Sequence, residues 1–254
     1  MTTLIRSPYL VFAVSFLVMW LAARIGLLFR KKRTLETDAY QDFDLVVAAT
    51  LTLLGLIIGF SFSMAITRYD QRKNCEEAEA NAIGTEYVRA DLLPATNAAR
   101  VRGLLKEYLH QRILFYRTRD VHELQQINAY TAQLQSDMWS NVRSAGGTQP
   151  IPTFALAISG MNDVLNSQGD TQAAWWNRIP TAAWSLMAAV AVCCNLLVGY
   201  ASRRTKQQAV RILVLPLVLS IAFCTIADID SPRQGVILVS PQNLENLAQS
   251  LQGH

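Results

Sequence analysis

The sequence predicts an all-α membrane protein in which four transmembrane helices, arranged as two hairpins, flank a soluble helical bundle. Three observations carry this expectation. Four apolar stretches, roughly Tyr9–Phe29, Leu45–Ile66, Thr181–Tyr200 and Val210–Ala227, each have about the ~20 residues a helix needs to cross a hydrocarbon core. They fall in two pairs on either side of a polar middle. The second stretch leads into that middle through Thr67-Arg68-Tyr69-Asp70-Gln71-Arg72 without proline or glycine, so one helix is expected to run from the membrane to about Leu93, before Pro94. The expected division is residues 1–66 for the first transmembrane hairpin, 67–180 for the soluble helical domain, 181–227 for the second hairpin and 228–254 for a tail.

Composition separates the two populations. Apolar residues make up 51% of the 254-residue chain and concentrate in the spans. Between Thr67 and Pro180, twelve Lys/Arg balance twelve Asp/Glu, so the net charge of +4 lies elsewhere. Its basic side sits largely in two short loops, Arg30-Lys31-Lys32-Arg33 and Arg203-Arg204-Lys206. Basic loops beside spans are a topology signal, not a nucleic-acid footprint, which needs a basic stripe on a folded domain. They favour cytoplasmic loops and an extracytoplasmic middle domain. The first stretch is longer than a signal-peptide core and ends in basic residues, which predicts a retained span. Arg24 within it is expected to snorkel to the headgroups.

Each segment of the middle has its own start and stop signals. Thr96 or Asn97 is expected to cap a helix reaching about Arg119, with Val101, Leu104, Leu105, Tyr108, Ile113 and Leu114 as its apolar stripe. Asp120 is expected to cap the next, with Leu124, Ile127, Tyr130, Leu134 and Met138 inward. Gly146-Gly147-Thr148-Gln149-Pro150 predicts a loop, and Pro152 a helix start, with the helix stopping near Ser167 before Gly169-Asp170. Trp175, Trp176 and Trp184 suit an interfacial aromatic belt at the third span, and Pro180 sits at that span's start. In the tail, Val236–Val239 suits a short strand or extended segment. Ser240-Pro241 then opens an amphipathic helix with Leu244, Leu247 and Leu251 on one face, suited to the bundle or to the bilayer surface.

Candidate functional residues lie mainly on the second span. Ala48, Thr52, Gly55, Gly59 and Ser63 form a stripe of small residues on one face. Close helix packing is its expected use, and lining a narrow pore the sharper alternative. Ile58 and Phe62, four apart, face lipid or form a hydrophobic constriction that gates by dewetting. Beyond the span, Arg68, Asp70, Arg72, Lys73, Glu76, Glu77, Glu79, Glu86, Arg89 and Asp91 are expected to be a solvated helix with pairs such as Arg72–Glu76 and Glu86–Arg89. Asp228 and Asp230 are expected to shape a turn, with cation binding as the alternative. The four cysteines and three histidines show no metal-ligand spacing, no disulfide framework and no catalytic arrangement. No phosphate loop or zinc-protease motif occurs. The expectation is a non-enzyme with no cofactor and no nucleic-acid partner.

The stretch Glu79-Ala80-Asn81-Ala82-Ile83-Gly84-Thr85, followed by Tyr87, Arg89-Ala90 and Leu92-Leu93-Pro94, resembles the hallmark of a bacterial membrane family labelled bestrophin-like. Arg178-Ile179-Pro180, Gly199-Tyr200, Asp228-Ile229-Asp230-Ser231-Pro232, Gly235 and Val239-Ser240 also match it. Glu79, Asn81, Gly84, Arg89, Asp228, Asp230, Pro232 and Gly235 are the residues so marked. More distantly, Ser61-Phe62-Ser63 through Arg72 resembles the junction in bestrophins, pentameric anion channels whose second span lines a hydrophobic neck and continues into a helical cytosolic domain. The resemblance implies a homo-oligomer in the bacterial inner membrane that passes small inorganic ions, with its soluble domain on the opposite side from that implied by the basic loops. A reading of another class is a non-conducting membrane-anchored helical sensor or scaffold.

Overall fold

The computed structural model describes residues 7–30, 37–145, 152–202 and 206–252. The basic side chains of Arg30, Lys206 and Arg211, residues 31–33, 203 and 204, and the predicted loop 146–150 lie outside what is described. In chain order the helices are α1 (Pro8–Arg30), α2 (Thr37–Arg89), α3 (Ala95–Arg117), α4 (Val121–Ala145), α5 (Pro152–Trp176), α6 (Thr181–Ala201), α7 (Lys206–Asp230) and α8 (Gln242–Ser250). A 3₁₀ turn, Ala90–Leu92, follows α2. Among the described residues there is no strand, so Val236–Val239 does not form one. Four helices are long and apolar enough to cross a membrane, and the protein is an all-α membrane protein. α2 runs unbroken for 53 residues, as the absence of breakers after Ile66 predicts.

The chain divides into two compact units. The first comprises Met1–Arg68 and Arg178–Leu238, the second Tyr69–Asn177 and Val239–His254. The tail is therefore shared out at Leu238, instead of forming one segment from residue 228 onward.

In the first unit, α1 packs along both α6 and α7. Two glycines bring the helices together, Gly26, which the sequence did not mark, and Gly199, which it marked only within the Gly199-Tyr200 family match. A Cβ on Gly26 would strike the Leu196 carbonyl and come within 2.9 Å of the Tyr200 amide nitrogen. A Cβ on Gly199 would strike the backbone of Ala23. Lipid tails are as apolar as the side chains, so apposed helices gain mainly from van der Waals contact, which small residues maximise. Ala22, Ala23, Met187 and Ala191 are buried at or beside this seam. α2 meets α6 where the Cys194 thiol donates to the Thr50 carbonyl at 3.4 Å and where the Phe43 and Tyr200 rings lie 5.2 Å apart. Pro216 lies inside α7 and removes one backbone donor, and the Ser220 hydroxyl donates to the Pro216 carbonyl at 2.7 Å.

The second unit is a helical bundle built by α3, α4, α5, α8 and the remainder of α2. Val101, Leu105, Tyr108 and Ile113 from α3 join Ile127, Leu134 and Met138 from α4 in its core. Tyr130, expected inward, is exposed and donates to Glu107 at 2.6 Å. Asp120 caps α4 as expected, accepting from the amides of His122 and Glu123 at 2.7 and 3.0 Å. Thr96 and Asn97 do not cap α3, because the helix already begins at Ala95 behind Pro94, and Asn97 instead donates to the Asn141 carbonyl at 3.2 Å. α5 does not stop near Ser167. It passes through Gly169 to Trp176, because Thr171, Ala174 and Trp175 are buried and their packing outweighs the ~1 kcal/mol cost of a helical glycine. α8 packs on the bundle through Leu244, Leu247 and Leu251.

Overpacking at the α1–α6 seam has a measurable cost. Gly26→Leu or Gly199→Leu is expected to destabilise the protein by about 1–3 kcal/mol or more, read as a lower thermal midpoint in detergent. Gly55→Ala, where nothing lies within 4 Å of the added methyl, is expected to leave that midpoint unchanged or raise it slightly.

Candidate functional site

The small-residue stripe of α2 faces away from the rest of the chain. Ala48, Thr52, Gly55, Gly59 and Ser63 are all exposed, and no atom lies within 4 Å of a Cβ built on Gly55 or Gly59. Among the described residues the stripe therefore makes no close helix contact within its own chain. The inward face of this span is carried by Leu54, Ser61 and Ala65. The Thr52 hydroxyl bonds back to the Ala48 carbonyl at 2.9 Å and the Thr67 hydroxyl to the Ser63 carbonyl at 3.0 Å, so both threonine hydroxyls are satisfied along their own helix. Phe62 is 39% exposed and Ile58 is half-buried. The exposed face has no charged residue from Leu45 to Ile66.

The bundle half of α2 corrects the expectation of a solvated charged helix. Arg72, Glu76, Glu79 and Glu86 are buried together with Ala80, Ile83 and Ala90, while Asp70, Lys73, Glu77 and Asn81 are exposed. The buried set is spaced by three and four, so it is one inward face carrying charge where a core face normally carries leucine. That periodicity was visible in the sequence, but charge alone suggested solvent.

Each inward carboxylate has a distinct setting. Glu79 forms an ion pair with Arg112 of α3, both side chains being fully buried. Arg112 Nε donates to one oxygen, and Nη2 reaches the other at 3.4 Å. Thr171 of α5 and Tyr116 of α3 donate to that second oxygen at 3.2 and 3.4 Å. Burial pushes the Glu79 carboxyl up, and Arg112, Thr171 and Tyr116 pull it back. Burial works against the charge of Arg112 too, yet the facing carboxylate holds its pKa above the ordinary value. The guanidinium also lies 4.3 Å from the Phe115 ring centre. Glu76 caps α8, accepting from the Leu244 amide at 3.0 Å and the Asn243 side chain at 2.7 Å. This is a carboxylate at the positive end of a helix supplied from elsewhere in the fold. Gly84 allows α8 to approach, with Leu247 3.1 Å from where a Cβ would stand.

Glu86 is fully buried, and neither oxygen has a hydrogen-bond partner among the described residues. Burial pushes its carboxyl up to about 8, against the pull of Arg89 and helped by Asp163. Arg89, expected to pair with Glu86, lies instead 3.8 Å from Asp163 of α5.

The tail motif in the first unit is a structural clamp. Asp228 accepts from the amides of Val236 and Ile237, both at 2.9 Å, folding the chain back on the end of α7. Gly235 makes that return possible, since its φ is 130° and any Cβ would strike the Asp228 carboxylate. Asp230 accepts from the Ile179 amide at 3.0 Å, fixing the chain just before α6. Pro232 is buried in the same turn. The two aspartates thus shape a turn, each accepting from backbone amides. Among the described residues no group of three His, Cys, Asp or Glu could hold a metal ion.

The model of the Bestrophin-like domain family matches residues 9–244 of the chain. No curated protein matches it by sequence. The fold is similar to that of crystal structures of a bacterial Bestrophin homolog from Klebsiella pneumoniae. One, phased by zinc anomalous scattering, has a TM-score of 0.64 at 13% identity, with 95% of this chain and 97% of that one covered. Two single-residue variants of the same homolog give 0.66 and 0.67 at 12% identity, covering 94% and 96% of this chain and 97% of each of theirs.

Breaking the buried pair tests its weight in the bundle. Arg112→Met leaves Glu79 buried without its cation and is expected to cost about 3–5 kcal/mol of stability. Adding Glu79→Leu is expected to recover part of that loss in the double variant, measured as denaturation midpoints of the purified protein.

Proposed function

The chain belongs to the bestrophin-like family, and from that premise we propose that it is an oligomeric membrane channel for small anions, with α2 of each copy lining a central axis. The observation that carries this reading is the uncovered small-residue face of α2: Thr52, Gly55, Gly59 and Ser63 are all exposed, and among the described residues nothing stands within 4 Å of a Cβ on either glycine. A face that a monomer leaves open and uncharged suits either a water-filled axis or a neighbouring copy. Symmetry repeats the stripe around the axis, and the lack of side-chain bulk keeps the lumen open. Ile58 and Phe62 then form the apolar ring at which water is expelled when the channel is shut. Among the family-marked residues, Glu79 and Gly84 hold the bundle together, and Asp228, Asp230, Pro232 and Gly235 hold the tail turn. They maintain the scaffold, while conduction rests on α2.

The basic loops at Arg30–Arg33 and Arg203–Lys206 support an orientation with those loops in the cytoplasm of a bacterial inner membrane and the bundle outside it. A reporter fused after His254 tests this. Activity on the extracytoplasmic side is expected, and cytoplasmic activity would overturn the orientation in favour of the one known for bestrophins.

Conduction is tested with purified protein in planar bilayers. Anion current is expected, raised several-fold by Phe62→Ala or Ile58→Ala and abolished by Gly59→Leu. If no current appears with anions or cations at any pH, the channel reading fails and the membrane-anchored scaffold reading replaces it.

A further inference from the structure

Among the described residues, the bundle provides no hydrogen-bond donor to the inward carboxylate of Glu86. Its Oε2 lies against Gly160 of α5, where a Cβ could not stand, so α2 and α5 are in close contact at this point. The charged groups facing it are Arg89, one turn further along α2, and Asp163 of α5. Arg89 borders the same glycine: its Nη1 and Cδ would stand 2.8 and 3.0 Å from a Cβ there. Its guanidinium nevertheless reaches Asp163, at the long separation of 3.8 Å, and both partners are partly solvated. From α3, Arg102 is engaged elsewhere, by the Asp91 carboxylate and the Tyr87 carbonyl. One cation therefore lies between two carboxyl groups, one buried and one exposed.

We propose that Glu86, Arg89 and Asp163 form a proton-operated latch between α2 and α5: it is closed with neutral Glu86 seated against Gly160, and released when Glu86 gives its proton to solvent and takes Arg89 from Asp163. The physical basis is that a neutral carboxyl tolerates an apolar contact, whereas a buried carboxylate without a donor costs several kcal/mol and must find a cation or water. Arg89 is the nearest cation, and engaging it means giving up the link to α5.

The sign of the pH dependence follows. A carboxyl held above its ordinary value favours the protonated form in the folded bundle. Its stabilising contribution is complete below the usual range near 4.5 and is lost as the pH rises through about 8.

The test uses the full chain in lipid nanodiscs. Hydrogen exchange of α5, corrected for the intrinsic pH effect, is expected to accelerate on the order of tenfold around residues 156–168 between about pH 6 and about pH 9. Glu86→Gln should make that exchange independent of pH. It should also remove the infrared band of a protonated buried carboxylic acid that the unmodified protein shows at neutral pH. Asp163→Asn removes the competitor for Arg89 and should move the transition to lower pH by on the order of one unit. Unaltered pH dependence in Glu86→Gln overturns the latch. Should that variant fail to fold, an Asp163→Asn transition at the original pH overturns it equally. None of these readouts depends on whether the protein conducts ions.

Discussion

Glu79 and Arg112 meet where α2, α3 and α5 converge, and the bundle is arranged so that neither charge is left without company. Taking either ion out of water alone costs several kcal/mol, and the attraction between them offsets this only when the remaining lone pairs and protons are also engaged. Thr171 and Tyr116 serve that purpose for the carboxylate, and Phe115 places its ring beside the guanidinium, whose Nη1 is buried with no hydrogen-bond partner among the described residues. Tyr116, Phe115 and Trp175 then stack edge to face around the pair, with ring centres 5.0 to 5.5 Å apart. The polar centre thus dictates which aromatic residues surround it and in which orientation. Glu76, one turn earlier, extends the same logic to α8 by spending its carboxylate on that helix's free amides.

The parts of this fold that follow from polymer geometry were legible in the sequence. Span lengths, the unbroken run through Thr67–Arg72, the stop before Pro94 and the Asp120 cap all depend on local chemistry, which a single chain displays. The misses have a common cause. Whether a charged residue on a helix faces water or the interior depends on what stands opposite, and Arg112 is 33 residues from Glu79, so Arg72, Glu76, Glu79 and Glu86 looked like a solvated face. Gly169 looked like a helix end because the burial of Thr171 and Trp175 that carries α5 past it comes from distant segments.

Two kinds of glycine in the membrane unit make the same point. Gly26 and Gly199 lie in separate helices, and each is pressed against backbone. Gly55 and Gly59 have the spacing associated with close helix contact and touch nothing. In lipid, where burial of apolar area gives little preference for one neighbour over another, close approach is what distinguishes a partner helix. A small-residue motif marks a capacity for contact, and only the three-dimensional arrangement says whether the chain itself uses it. Here the second pair is left available, and this is the physical basis for assigning α2 a role beyond anchoring.

The docking of α8 also constrains the order of biosynthesis. Glu76 and Leu244, joined through the carboxylate and the amide, are 168 positions apart, and residues 178–238 are assigned to the other unit. When α2 through α5 have left the ribosome, the Glu76 carboxylate and the site later filled by Leu244 and Leu251 are still waiting for their partners. Two further apolar helices must be made and inserted first. Throughout that interval the nascent bundle exposes a partly unfinished surface, a state in which helical proteins are prone to associate wrongly. At the elongation rates of living cells, about 5–20 residues per second, the wait lasts on the order of several seconds. α8 therefore joins the bundle only after α6 and α7 have been synthesised.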